Sequence, residues 1–257
     1  MTSASIPEGL EIRTKVALAP DHGRPSSRFL TKLFPLSSLS DPEQLRLAQV
    51  VGPRLKVPRG QNILLAGAPC IRLYAIHIGS FKSYQLTVSG GLQIFDFHFP
   101  GQILGLDALG LDVHHCGAMA LEDSEVFAIP AVGLQELLAD FPDLRNHFHF
   151  LMRQEVCHTR QTILMLGTMR AEQRLAIFLR FIASEQAIRG YSPRRLHLSM
   201  MREDIANHLG LSSECVSRML ARLSKEGLIH IANREIEILN ATRLATMADG
   251  RARNAVT

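Results

Sequence analysis

Short apolar runs separated by turn residues dominate residues 54–130. Runs such as YQLTV and LQIFDF alternate with stretches rich in Gly, Pro and Ser, and strands at this spacing predict an antiparallel β-barrel or sandwich. The clearest hairpin is YQLTV–SGG–LQIFDF (84–97), in which glycines serve the positive-φ positions. Before this region, DPEQLRLAQV (41–50) predicts a short helix that begins at Asp-Pro.

Helical spacing replaces the strand pattern after Pro130. A short helix is predicted over Val132–Ala139 and a long one from about 143 to 166. Along the long helix, residues recur at spacings of four and three, which is typical of a coiled-coil seam that pairs two helices. The seam residues are Met152, Val156, Thr159, Ile163 and Leu166. The pattern predicts a homodimer, with packing of the helix on its own barrel as the alternative, and Gly167 is expected to act as a hinge.

Residues 201–226, MREDIANHLGLSSECVSRMLARLSKE, carry the most specific pattern of the chain. Two apolar helical stripes flank Gly210, which permits a tight turn between helices because it lacks a Cβ. Either Ser212 or Ser213 is expected to cap the second helix. Two short strands follow, GLIHI and EIEIL, as in the wing of a winged helix. A DNA-binding helix-turn-helix is therefore predicted, and a helical hairpin inside a bundle is the alternative.

The second helix of this motif is expected to expose residues that suit base edges in the major groove. Arg218 can donate two hydrogen bonds to guanine, Glu214 can accept one from cytosine, and Ser217 is adaptable. The alternative is a surface ion pair between Glu214 and Arg218. The predicted DNA-contacting residues are Arg202, Ser212, Ser213, Glu214, Ser217, Arg218 and Arg222.

Charge and composition narrow the choice of function. Residues 1–169 carry 14 basic and 15 acidic side chains, whereas residues 170–257 carry 14 and 9, which favours a C-terminal contact with double-stranded DNA. No apolar run reaches the roughly 18 residues that span a bilayer, and no secretory signal pattern opens the chain, so we expect a cytoplasmic protein without a membrane partner. The four cysteines are widely spaced and predict no disulfide scaffold. Nucleotide-binding, zinc-protease and serine-hydrolase motifs are absent, so no catalytic residues and no enzymatic activity are predicted.

The Glu-x-x-Ser-Arg arrangement of Glu214, Ser217 and Arg218 resembles the DNA-reading signature of the Crp–Fnr superfamily of bacterial transcription regulators. The chain is most similar to the branch of the fumarate-and-nitrate-reduction regulator over about residues 30–248, including LYAIHIGSFKSY (73–84) and GYSPRRLHLSM (190–200). The resemblance implies an α+β fold with a cyclic-nucleotide-binding-type β-roll, a long dimerisation helix and a winged helix-turn-helix. It also implies a palindromic site like TTGAT-N4-ATCAA and activation through contact with RNA polymerase.

On this basis the chain divides into five segments. We expect a flexible leader, a sensor-type β-roll, the dimerisation helix, the DNA-binding domain and a tail. Their respective bounds are 1–28, 29–142, 143–168, 169–248 and 249–257.

Two ligand sites of the superfamily are expected to be missing. Oxygen-sensing members hold a [4Fe–4S] cluster with four cysteine thiolates, yet residues 1–69 contain no cysteine and Phe127 stands at the β-roll position. Cyclic-AMP-binding members hold the phosphate with an arginine that follows a Gly-Glu turn. Here Gln102 replaces the glutamate, and no arginine lies between Arg72 and Arg145. We therefore predict no cofactor, no metal and no cyclic nucleotide.

Several histidines and cysteines leave open which signal, if any, the protein senses. His114-His115-Cys116 offers haem or metal ligands but is favoured as a surface turn, and Cys157 on the long helix is favoured as a small core residue. Cys215 is a redox candidate because its oxidation would add bulk and charge at the DNA interface, with an inert small residue as the favoured alternative. A haem- or thiol-based gas or redox sensor remains an alternative, as does a ligand-binding module with vestigial DNA binding. Met201 is expected at the N-cap of the first motif helix, with Ser199 compensating for the lost cap.

Overall fold

An antiparallel β-roll forms the N-terminal domain of the computed structural model, which describes residues 17–18, 23, 25–34, 39–88 and 90–250. The strands of the roll are β1 (Ala17–Leu18), β2 (Arg54–Val57), β3 (Asn62–Leu64), β4 (Arg72–Ile78), β5 (Phe81–Leu86), β6 (Leu92–His98), β7 (Ile103–Leu104), β8 (Gly117–Ala120) and β9 (Ser124–Pro130). They pair in two sheets, β1-β2-β9-β4-β7 and β3-β8-β5-β6. Alternate residues such as Ile76, Phe81 and Val126 point inward and form the core of the roll.

The hairpin predicted at residues 84–97 is confirmed. Strand β5 pairs with β6 so that Leu86 lies opposite Leu92. Gly90 turns the chain at φ +81°, a conformation that a residue with a Cβ rarely adopts. The adjacent backbone closes with a hydrogen bond of 2.7 Å from the Thr87 amide to the Gly91 carbonyl.

Helices surround the roll and build the C-terminal domain. They are α1 (Ser27–Leu33), α2 (Asp41–Val50), α3 (Ala131–Asp140), α4 (Pro142–Thr168), α5 (Ala171–Ile188), α6 (Arg202–Leu209), α7 (Ser213–Lys225) and α8 (Ala241–Ala248). The predicted helices over 41–50, 132–139 and 143–166 are therefore present, each within two residues of its predicted ends.

Parts of the predicted leader belong to the β-roll. Strand β1 pairs with β2, and α1 begins at Ser27 after the Ser26 hydroxyl accepts a hydrogen bond from the Phe29 amide. Because Phe29 and Leu30 are buried in the roll, the predicted boundary between residues 28 and 29 falls inside a helix that packs on the core. The remainder of the predicted leader, apart from residues 23 and 25–26, lies outside the described residues, as do residues 251–257 of the predicted tail.

The long helix α4 connects the two domains. Its N-terminal half buries Leu144 and Phe148 against the β-roll, and Met165 near its other end is buried against the C-terminal domain. Gly167, expected to be a hinge, instead lies within the helix, because the Met169 amide still donates to the Met165 carbonyl. The chain leaves the helical conformation only at Met169.

The C-terminal domain is a winged helix-turn-helix with a three-stranded sheet. The wing strands β11 (Ile229–Ala232) and β12 (Glu235–Ile238) are joined by β10 (Arg195–His197), in the order β10-β12-β11. The sequence also predicts a short strand over residues 192–198, after Gly190, and the observed strand β10 is shorter. Helix α8 closes the domain by burying Leu244 and Met247 in the same core as α5.

Candidate nucleic-acid interface

The turn between α6 and α7 has the geometry that the sequence predicts. Gly210 ends α6 at φ +63°, and the next amide, that of Leu211, donates to the Ala206 carbonyl over 2.8 Å. Ser212 occupies the N-cap of α7, where its hydroxyl accepts from the Cys215 amide at 3.2 Å. Of the two serines considered as caps, Ser212 is therefore the one used, and Ser213 lies partly buried in the first turn.

Helix α7 presents one apolar face to the protein and one polar face to solvent. The buried face consists of Val216, Met219, Leu220 and Leu223. Glu214, Ser217 and Arg218 are all exposed, and their spacing of three and one places them together on the opposite face. Among the described residues no ion pair joins Glu214 to Arg218, so the alternative of a surface salt bridge is not observed.

Arg222 is exposed on α7 but its guanidinium is already engaged. It lies 2.7 Å from the Glu172 carboxylate on α5 and 3.4 Å from that of Glu226. The hydrogen bond to Glu172 raises the pKa of Arg222. The contact with Glu172 holds the C-terminal half of α7 against α5. Arg218, in contrast, forms no ion pair with any residue that the structure describes.

The start of α6 differs from the expected arrangement. Met201 is the N-cap, as predicted, but its amide donates to the Asp204 carboxylate at 3.1 Å. Ser199 does not compensate for the cap, since it is buried and its hydroxyl lies 2.5 Å from that of Ser80 in the β-roll. Arg202, at the first position of α6, is half-buried, and burial lowers its pKa.

A set of polar contacts that the sequence did not reveal holds α6 against the β5–β6 hairpin. Asn207 accepts from the Ile94 amide and donates to the Leu92 carbonyl, each over 2.6 Å. Lys82 reaches Asp204 at 2.6 Å, with both side chains only 13% exposed. The partners lie more than a hundred residues apart in sequence. The sequence offers no specific signal for these contacts, because α6 carries polar residues at most of its positions.

The predicted seam of α4 lies largely on the surface of the single chain. Val156 is 49% exposed and Ile163 is 65% exposed, while Thr159 is also exposed. Met152 and Leu166 are partly buried. Helix α4 therefore displays an apolar stripe that its own β-roll does not cover.

The residues singled out as sensor candidates occupy different settings. Phe127 is buried on β9 against Phe29, with ring centroids 4.8 Å apart. His114 is only 3% exposed, so the expectation that it lies in a surface turn is wrong; the turn residues around it fold inward over Gly105. Burial and the nearby Asp107 raise the pKa of Cys116 to about 11, which keeps its thiol protonated.

The two remaining cysteines lie on helices. Cys157 is exposed on α4, not packed in a core as favoured from the sequence, and Cys215 is partly buried in the first turn of α7. In the part of the chain that the structure describes, no three His, Cys, Asp or Glu side chains converge on a site that would hold a metal ion.

Gln102, at the position expected for a phosphate-binding glutamate, is engaged elsewhere. Its side-chain oxygen accepts from the Phe99 amide at 3.0 Å, and its nitrogen donates to Glu185 of α5 at 3.2 Å. It thus joins the β-roll to the DNA-binding domain. None of the described helices has the length and apolar character that a membrane crossing requires.

Comparison with known proteins assigns both domains. A family model for the Crp-like helix-turn-helix domain matches residues 173–247, and one for the cyclic nucleotide-binding domain matches residues 54–141. The transcriptional regulatory protein btr of Bordetella pertussis is 37% identical over 229 residues, which cover 89% of this chain and 95% of that protein. The fumarate and nitrate reduction regulatory protein of Escherichia coli K12 is 38% identical over 217 residues, covering 84% and 86% respectively.

The fold has a solved counterpart. The structure of FixK2 from Bradyrhizobium japonicum superposes with a TM-score of 0.70 at 28% identity, covering 76% of this chain and 96% of that one. The match spans the β-roll, the long helix and the helix-turn-helix in the same order.

Proposed function

The chain belongs to the Crp–Fnr family of transcription regulators, and we propose that it is a sequence-specific regulator that binds palindromic DNA as a dimer. Its relatives are regulators and not enzymes. The observation that carries the proposal is the polar face of α7, where Glu214, Ser217 and Arg218 are exposed on a helix whose other face is buried.

The chemistry of this face suits base edges better than phosphates. An acidic side chain is repelled by the DNA backbone, so Glu214 contributes only where its carboxylate accepts a hydrogen bond, as from the amino group of cytosine. The guanidinium of Arg218, which has no ion-pair partner in the described part of the chain, can donate to O6 and N7 of guanine. The resemblance to the Crp–Fnr family implies that the site is a palindrome like TTGAT-N4-ATCAA.

Dimerisation through α4 would place two copies of α7 on one face of the duplex. The seam residues Met152, Val156, Thr159, Ile163 and Leu166 include no carboxylate. Two copies would therefore meet without like-charge repulsion. We propose that the protein is a dimer in air and without an added ligand.

The proposed regulator works without an iron–sulfur cluster and without a cyclic nucleotide. No cysteine occurs in residues 1–69 and Phe127 fills the β-roll position, so the thiolates that such a cluster requires are missing. Gln102 is tied to Glu185 instead of binding a phosphate. We propose that the protein acts in the cytoplasm, as an activator that contacts RNA polymerase.

Selection from a randomised duplex library tests this function. The purified protein, in air and without ligands, is expected to enrich duplexes with two-fold symmetric half-sites. Enrichment without symmetry or without sequence preference would contradict the proposal. An absorption spectrum of the same preparation, taken also under anaerobic conditions, should lack haem and iron–sulfur bands.

A further inference from the structure

The side chain of Arg174 joins the C-terminal ends of α4 and α6. It extends from near the start of α5, and its three guanidinium nitrogens donate to three backbone carbonyls. Nε donates to Met169 over 3.0 Å and Nη2 to Leu166 over 2.6 Å, both at the end of α4. Nη1 donates to Leu209, the last residue of α6, over 3.0 Å. One planar group therefore connects the proposed dimerisation helix to the helix-turn-helix.

The carbonyls that Arg174 binds lie where the two helices end. The Arg170 amide would continue the hydrogen bonds of α4 to the Leu166 carbonyl, but it donates to the Gln173 side chain at 3.0 Å. At the end of α6 the chain turns at Gly210. The last carbonyls of a helix carry a partial negative charge, which a guanidinium stabilises both by hydrogen bonding and by its own charge. The Arg174 side chain thus acts as a shared cap for the ends of α4 and α6.

The turn between α6 and α7 packs directly on this cap. A Cβ placed on Gly210 would lie 3.4 Å from Nη1 of Arg174 and 3.5 Å from Cδ2 of Leu166. Leu166 is also the last residue of the seam through which two copies of α4 are proposed to pair. The proposed seam, the cap and the turn that leads into α7 are therefore in continuous contact.

The chemistry of this contact requires an arginine. Arg174 is partly buried and forms no ion pair with any residue in the described part of the chain. The donors of a guanidinium lie in one plane at fixed spacing, whereas a lysine ammonium is a compact charge on a flexible stem. A lysine would keep the charge, but it could not hold three carbonyls in one geometry.

We propose that Arg174 is a positioning residue for DNA recognition, which fixes the orientation of α7 relative to the paired α4 helices and thereby sets the spacing of the two half-sites. This inference rests on the proposed function as a dimer that binds palindromic DNA. In a symmetric dimer, the separation of the two recognition helices must match that of the half-sites. Loss of the cap would leave each α7 able to read a half-site but would relax this match.

Duplexes that differ only in spacer length test this role. One base pair more or less moves a half-site by about 3.4 Å along the duplex and rotates it by about 34°. The full-length wild type should bind TTGAT-N4-ATCAA at least about tenfold more tightly than the same half-sites separated by three or five base pairs. Arg174→Gln and Arg174→Lys should each reduce this preference to about threefold or less, because the orientation of α7 is no longer fixed.

Arg180→Gln is the matched control. Arg180 also lies on α5, but it is exposed and its guanidinium is 3.6 Å from Asp249, so this variant removes the same charge away from the ends of α4 and α6. It should keep the wild-type spacer preference. Light scattering and melting curves show whether the variants are folded dimers. A protein that is only destabilised would lose affinity for all three duplexes in the same proportion and would keep the preference.

Three results would overturn this inference alone, because the wild type would still select its palindrome in each of them. The first is a wild-type spacer preference in both Arg174 variants. The second is a wild-type preference in Arg174→Lys only, which would show that the charge of Arg174 matters and its geometry does not, as for a contact with DNA phosphate. The third is an equal loss of preference in Arg180→Gln. A wild type that binds all three duplexes equally would contradict the proposed function as well.

Discussion

Two arginines of α7, one turn apart, differ in their ion-pair partners. Arg218 is exposed and unpaired among the described residues, whereas Arg222 is bound by Glu172 and Glu226. Sequence spacing alone assigned both to DNA contact, because a helix places residues four apart on one face. The structure distinguishes them through Glu172, which lies fifty residues earlier in the chain.

Replacement of Arg218 tests its role as a base reader. Arg218→Ala should weaken binding to the palindrome by about 1–3 kcal/mol and relax the preference at one base pair of each half-site, because a bidentate guanine contact is lost. Arg222→Ala should weaken binding without changing base preference. Binding of Arg218→Ala to every single-base variant of the half-site with wild-type preference would contradict the assignment.

His158 joins α4 to the β-roll in a way that depends on pH. Its hydrogen bond to Asp96 raises the pKa of His158, while the ring stacks on Phe181 of α5. Glu155 and Glu185 lie close enough to favour its charged form as well. A histidine with a raised folded-state pKa stabilises fully below its unfolded pKa of about 6.5, and this contribution is lost as pH rises through the folded pKa.

The melting temperature of the wild type, compared with His158→Gln at one protein concentration, tests this link. The advantage of the wild type should be largest near pH 6 and should shrink towards about pH 8.5. Burial lowers the pKa values of His98 and His208, which act in the opposite sense. The charge of His158 lowers both pKa values further, so His158→Gln also relieves part of this opposing effect and reduces the advantage of the wild type near pH 6. A difference that grows with pH would show that the ion pair is not formed.

At the scale of elements, helix α4 exposes apolar residues both on the predicted dimer seam and beside it. Ile163 and Leu164 are both apolar and both exposed, by 65% and 56%. Only Ile163 lies on the predicted seam, since the next residue is rotated by about 100° around the helix. The two positions therefore form a matched pair.

Ile163→Glu should convert the dimer to monomers, because two carboxylates would be brought together in an apolar interface. Leu164→Glu, of equal charge and on the same helix, should leave the dimer intact. Light scattering at micromolar concentrations distinguishes the two states. A dimer that survives Ile163→Glu, or one that is lost equally in both variants, would place the interface elsewhere.

The contact of α6 with the β-roll depends on Asn207. Asn207→Ala removes two hydrogen bonds to the backbone of β6, each worth about 1 kcal/mol. We expect faster amide exchange at Ile94 and a melting temperature several degrees lower, with α7 itself unchanged. Asn146→Ala, on the exposed side of α4, is the control. Equal exchange in both variants would show that α6 is not docked in solution.

An element could be predicted well when the residues that determine it lie close together in the sequence. Helix α7 and the β5–β6 hairpin follow from spacing, a cap and a glycine within a dozen residues. The Asn207 and Arg174 contacts could not be predicted, because their partners are brought near only by the complete fold. His114 was assigned to a surface turn from turn-forming neighbours, but the turn packs against Gly105 and buries it.

At the scale of the whole molecule, one continuous core joins the two domains. Ile94, Phe97 and Phe99 of the β-roll share it with Phe178 and Leu209 of the DNA-binding domain. The order of β-roll, long helix and winged helix was predictable from the sequence, whereas this shared core was not. Because Val216 and Leu220 of α7 lie in the same core, the packing of the β-roll is coupled to the orientation of α7.

The central claim is that this chain binds palindromic DNA as a dimer and recognises its sequence. Fluorescence anisotropy with a labelled duplex tests this claim most directly. In air and without added ligand, at about 150 mM salt, a duplex with TTGAT-N4-ATCAA should bind at least about 10³-fold more tightly than one with shuffled half-sites. Saturation should occur at two chains per duplex. Equal affinity for both duplexes, or saturation at one chain per duplex, would contradict the account.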